Sequence, residues 1–150
     1  MSMIDFNTPL ILPGFVASGD LTASGSFYLF GTTAPGPGAR GYGSVVLSWQ
    51  WAGTSTPNGT WQIDGNNQTG AATGETWYTI YLDANKAYGF VNNAVYAHAG
   101  GNTIAVNSAV AGYLMCVLDK IPPYLRITWT RTGGGAATGF TAAQATFRPV

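Results

Sequence analysis

Few residues in this chain are able to do covalent or acid–base chemistry, and their spacing narrows what that chemistry would be. His98 is the one histidine and Cys116 the one cysteine. Nucleophilic catalysis needs a base within hydrogen-bond reach of a Ser, Thr or Cys, so a Ser-His-acid set would have to be built on His98 in VYAHAGG. No Gly-x-Ser-x-Gly elbow is present, and a lone histidine beside Gly100 and Gly101 reads as an ordinary loop residue. One histidine and one cysteine do not supply a zinc site. Glycoside hydrolysis asks only for two carboxylates facing each other across a cleft; Asp64 with Glu75, or Asp83 with Asp119, could do that in principle, though sequence spacing alone does not support it. With six acids in all, some of them needed at turns, no catalytic residue is assigned and the protein is expected not to be an enzyme.

The segment DGNNQTGAATGE, residues 64–75, sets Asp64, Asn66, Gln68 and Glu75 at positions 1, 3, 5 and 12 of a calcium-loop template. Thr69 stands where the template requires Gly, and the flanks have strand rather than helix character, so an Asx-rich hairpin loop is the plainer reading. Neither a metal nor another cofactor is assigned. Aromatic side chains are the larger resource. Tyr28, Tyr78, Tyr81, Tyr96 and Tyr124 include several on the parity opposite to the expected core, and tyrosine is suited both to stacking on sugars and to filling protein interfaces. Asn58-Gly59-Thr60 and Asn67-Gln68-Thr69 fit the glycosylation sequon by pattern only.

Composition says what kind of scaffold must position these groups. At 150 residues the chain suffices for one domain that buries about two-thirds of its unfolded surface, with no need of disulfides. Cys116, in the apolar run LMCVL, is expected to behave as a small hydrophobe. Charged residues make up 8% of the chain, against about 25% in ordinary soluble domains. Charge keeps proteins apart in solution, so its scarcity predicts a surface that lies largely against other molecules, or one coated with neutral polar groups. The dispersed Arg40, Arg126, Arg131 and Arg148 form no basic stripe for phosphates, and nucleic acid is not expected as a partner. The opening MSMIDFNTPLILPGF lacks a basic region, and its apolar stretch is broken by Pro13 and Gly14. No later run reaches eighteen apolar residues, so neither a signal peptide nor a membrane span is expected.

Residues 1–19 hold apolar patches separated by Pro9 and Pro13 without a regular period, which predicts an extended N-terminal arm. From residue 20 to 150 the pattern is alternation with period two, the mark of half-buried strands. LTASGSFYLF places Leu21, Ala23, Phe27 and Leu29 on one face; VVLSWQW alternates Val45, Leu47, Trp49 and Trp51 against Val46, Ser48 and Gln50. TWQID puts Trp61 and Ile63 opposite Thr60, Gln62 and Asp64, and YLRITWTR puts Leu125, Ile127 and Trp129 opposite Arg126, Thr128 and Thr130. TWYTIYLD reads as a full strand, residues 90–97 as one or two weak ones, GYLMCVLD as a central strand apolar on both faces, and TGFTAAQATF as the last strand. Seven or eight such strands with Gly/Pro turns and no helical period predict an all-β fold, a single antiparallel β-sandwich or jelly roll preceded by the arm. On parity, the tryptophans belong to the core.

Four stretches taken together, GYGSVVLSWQWAGT (41–54), NGTWQIDGNN (58–67), ETWYTI (75–80) and PYLRITWTRTGGGAATG (123–139), resemble a recurrent β-sandwich layout among virion structural proteins of tailed bacteriophages. In that layout a strand ending in a Trp-x-Gly-Thr turn precedes a Gly-Thr-aromatic strand, an Asn-rich loop, a Trp strand, and a Tyr-aliphatic-Arg strand running into a Gly-rich hairpin. The resemblance spans residues 41–82 and 123–147; residues 1–40 and 83–122 match nothing in it. It implies a non-enzymatic particle component, a capsid decoration (cement) protein or a tail or fibre module. Such a component is often a homotrimer, assembled in the host cytoplasm into the virion, with the major capsid protein or other virion proteins as partners. The arm residues Ile4, Phe6, Leu10, Ile11, Leu12 and Phe15 are then the expected partner-binding set, because apolar side chains outside a core need another burial partner. Two other classes stay open: a carbohydrate-binding or receptor-binding module using its tyrosines and the NNQ loop, and a hydrolase using Asp64 or Glu75.

Overall fold

The computed structural model describes residues 24–28, 42–51, 57–68, 74–92, 94–106, 112–134 and 140–149. The arm, with Ile4, Phe6, Leu10, Ile11, Leu12 and Phe15, lies outside the described residues. Ten strands and no helix occur among the described residues: β1 (Gly25–Tyr28), β2 (Tyr42–Trp51), β3 (Pro57–Asn66), β4 (Tyr78–Thr79), β5 (Ala87–Val91), β6 (Ala94–Ala97), β7 (Ile104–Val106), β8 (Gly112–Leu118), β9 (Tyr124–Gly134) and β10 (Phe140–Pro149). They form two five-stranded antiparallel sheets. The first has the order β1-β9-β3-β4, with β7 also beside β3; the second has the order β10-β2-β8-β5-β6.

Alternation read from the residues places β2, β3, β8 and β9 correctly, because each of these has one face on a common core. Val45, Leu47, Trp49 and Trp51 of β2, Trp61 and Ile63 of β3, Leu114 and Cys116 of β8, and Ile127 and Trp129 of β9 are all buried in one cluster fed by both sheets. Trp61 sits at its centre, with its ring 5.7 Å from Trp49, 5.9 Å from Trp51 and 4.8 Å from Trp129, all tilted. Tilted and edge-on indoles are the favoured arrangement, since a flat sandwich sets like quadrupoles against each other. The indoles also need backbone to step aside. A Cβ on Gly59 would come within 2.6 Å of the Trp129 ring, and one on Gly112 would enter the Trp51 ring.

Two departures from the sequence pattern matter for the surface. TWYTIYLD, expected as a full strand, pairs only at Tyr78–Thr79, opposite Gly65 and Asp64. The edge of β3 is shared: β7 takes Gly59–Trp61, so after Ile80, whose N donates to the Ile63 carbonyl at 2.8 Å, the chain leaves β3, and Leu82 exchanges two 2.9 Å backbone hydrogen bonds with Gly101. The strand β7 was not expected; three residues are too few to carry a period, yet Ile104 and Val106 are fully buried. The weak region around residue 90 resolves into the hairpin β5–β6, turned at Asn92 with φ 54°, a conformation asparagine tolerates.

Candidate functional site

On the outer face of the first sheet, polar side chains from four strands meet at adjacent register positions. Asp64 lies opposite Arg126 and Thr79, Gln62 opposite Thr128, and Ser26 opposite Thr128. The Asp64 carboxylate is 1% exposed and accepts four hydrogen bonds. Arg126 Nε donates at 2.7 Å and Thr128 Oγ1 at 2.9 Å to Oδ2, while Gln62 Nε2 at 2.9 Å and Thr79 Oγ1 at 3.0 Å donate to Oδ1. A buried charge is tolerable only when paired and fully bonded, and this one is. Above it the Arg126 guanidinium lies 4.7 Å from the centre of the Trp77 ring and 5.9 Å from that of Tyr28; the two rings meet edge to face at 5.6 Å. The result is a closed polar layer that ties β1, β3, β4 and β9 together under an aromatic cover.

This geometry redistributes the acids singled out above. Asp64 turns toward β9, whereas Glu75 accepts a 2.7 Å hydrogen bond from Asn66 Nδ2, so the two do not face each other across a cleft. The members of the calcium template bind one another and Arg126, and among the described residues no three His, Cys, Asp or Glu side chains come together as a metal site. Asp83 and Asp119 do reach one cleft, of about 340 Å³, together with Lys86. Lys86 Nζ donates to Asp119 Oδ2 at 2.5 Å, and that hydrogen bond, with the charges of Asp119 and Asp83, raises the lysine above its ordinary pKa.

His98 lies outside any strand, directly after β6, as an ordinary loop residue would, but it is buried there. It is 5% exposed, with Tyr96 Oη 3.0 Å from Nδ1 and the Gly101 carbonyl 3.4 Å from Nε2, and it braces the end of β6 against the Leu82–Gly101 bridge. Cys116 is a core residue whose thiol is pushed well above its ordinary range by burial.

The structure brings the NNQ loop and one of the exposed tyrosines to a single groove at one end of the sheets. Gln68 N donates to Asn66 Oδ1 at 2.5 Å, an Asx turn, and Thr76 N donates to Gln68 Oε1 at 3.1 Å. These bonds hold the loop beside Tyr78, which is 70% exposed. The groove has a volume of about 450 Å³ and is walled by Asn67, Gln68, Thr76, Tyr78, Gly65 and Pro122 among others, none of them charged. Of the other tyrosines, Tyr81 is exposed on the neighbouring cleft, Tyr28 covers Arg126, Tyr96 rests on His98, and Tyr124 is buried.

The outer face of the second sheet is of another kind. Tyr88 and Phe90 of β5, Val95 of β6, and Tyr113, Met115 and Val117 of β8 alternate with core residues and point outward as neighbours, in the pairs Tyr88–Met115, Phe90–Tyr113 and Phe90–Val95. Phe90 is 55% and Val95 80% exposed. The sequence carried a signal for this surface: GYLMCVLD is apolar on both faces. A central position explains only the face that carries Leu114, Cys116 and Leu118. Comparison with protein-family models, with curated proteins and with solved structures finds no match to the chain.

Proposed function

We propose that the protein is a non-enzymatic structural component of a bacteriophage particle, a capsid decoration (cement) protein whose copies join through the outer face of the second sheet. The observation that carries this reading is that face. A contiguous apolar surface containing Tyr88, Phe90 and Val95 is what a monomeric soluble domain avoids and what a subunit interface requires. The arm residues Ile4, Phe6, Leu10, Ile11, Leu12 and Phe15 are then the mooring to the major capsid protein or another virion protein.

Strand order supports the same class of fold. With β4 and β10 set aside, the sheets read β1-β9-β3-β7 and β2-β8-β5-β6, an order that favours an eight-stranded jelly-roll sandwich, an architecture used by viral capsid and lectin domains. The link from that architecture to a virion is one of analogy, and the surface carries the functional weight.

The test is the molar mass of the purified protein by light scattering behind a sizing column, followed by binding of the full chain and of a chain lacking residues 1–19 to capsids. A trimer, three times 15.7 kDa, that binds capsids through its arm is the expected result. A monomer that ignores capsids with or without the arm overturns the reading.

A further inference from the structure

We infer that the groove between the NNQ loop and Tyr78 is a binding site for a neutral saccharide. The inference does not rest on the virion reading, since the groove lies at the end of the sheets and the proposed subunit face on the flank of the second one. Its volume of about 450 Å³ falls in the range of about 300–1,000 Å³ typical of small-ligand sites.

The chemistry of the walls selects the ligand. A pyranose ring has an apolar face of C–H groups and a rim of hydroxyls that both donate and accept. Tyr78 offers a largely exposed aromatic ring for the first. The planar amide of Asn67, carrying donor and acceptor side by side, matches the second, as do the Gln68 Nε2 donor and the Thr76 hydroxyl. Among the described residues no Asp, Glu, Lys or Arg lines the groove, so none of the described lining side chains carries a charge for a phosphate, a carboxylate or an ammonium group. The acid of the loop, Glu75, is engaged by Asn66.

The walls are also set in advance. Gln68 N on Asn66, Thr76 N on Gln68 and Asn66 on Glu75 fix residues 66–68 against 75–76, and the Asp64–Thr79 bond pins β4 beside them. A site fixed in this way loses less conformational freedom on binding. The floor is a glycine for a steric reason: a Cβ on Gly65 would run into the Pro122 ring.

The experiment is saturation-transfer NMR on the full chain with lactose, maltose, cellobiose and diacetylchitobiose, with sialyllactose and a proline-rich peptide as competing classes. The expected result is transfer to at least one neutral sugar, an affinity about tenfold lower in Tyr78→Ala, a smaller loss in Asn67→Ala, and no change in Thr132→Ala. Thr132 lies toward the far end of β9. Both groove residues are exposed, so truncation leaves the core intact, and near-UV circular dichroism of the buried tryptophans verifies it. No transfer to any neutral sugar, binding by Tyr78→Ala and Asn67→Ala equal to wild type, or binding of only the peptide or the charged sugar overturns the inference. A trimer that binds no sugar would leave the particle reading standing and remove this one; a monomer that binds sugar would do the reverse.

Discussion

The two sheets present outer faces built by the same alternation and finished in opposite ways. On the first, Asp64, Arg126, Gln62, Thr79 and Thr128 satisfy one another, and Trp77 and Tyr28 lie over the charge. On the second, the described outward side chains of β2, β5, β6 and β8 include no charged group, and the ion pair Lys86–Asp119 stands at the rim. A polar layer whose hydrogen bonds are all internal is complete without a partner. An apolar layer is complete only when something excludes water from it. On the proposed reading the first face bears on stability and the second on association, and experiment can separate the two.

The largest effect is expected at Asp64. Asp64→Ala leaves a mostly buried guanidinium and several hydroxyls without their acceptor, and a loss of about 3–5 kcal/mol in urea unfolding is expected. A loss below about 1 kcal/mol would put the pair among ordinary surface ion pairs and erase the contrast between the faces. Trp77→Ala removes the ring over Arg126 and is expected to lower stability by about 1–2 kcal/mol, read in the same unfolding curves.

On the second face the expectation inverts. Phe90→Lys should change stability by no more than about 0.5 kcal/mol, while the mass measured by light scattering falls to the 15.7 kDa of one chain. If that variant unfolds instead, Phe90 is a core residue and the comparison fails. The smallest effect is expected between the faces, at Cys116. Burial raises its thiol, so it stays protonated at neutral pH and should react with a thiol reagent only as the protein unfolds. Rapid labelling of the native protein would mean that the core opens.

The contrast between the faces was half visible in the residues. Gln62 and Asp64 against Trp61 and Ile63, and Arg126 and Thr128 against Ile127 and Trp129, place both polar sets on the outside of their strands. That Asp64 meets Arg126 depends on the β3–β9 register across 62 positions of chain, which no local pattern records. The groove is visible in the residues only in pieces: the NNQ loop and Tyr78 are each suited to binding sugars. Their meeting depends on the β3–β4 register, which sets Tyr78 opposite Gly65 at the start of the loop.

Residue order alone determined the all-β class, the long strands and the inward parity of the tryptophans, because period-two alternation is a property of neighbouring residues and survives without knowledge of pairing. Tertiary structure decided which outward faces close on themselves and which stay open, that His98 is buried, and that Tyr78 lies beside the amide loop. Those outcomes are set by strand register and sheet order, which join residues far apart in the chain and leave no trace in any short stretch of it.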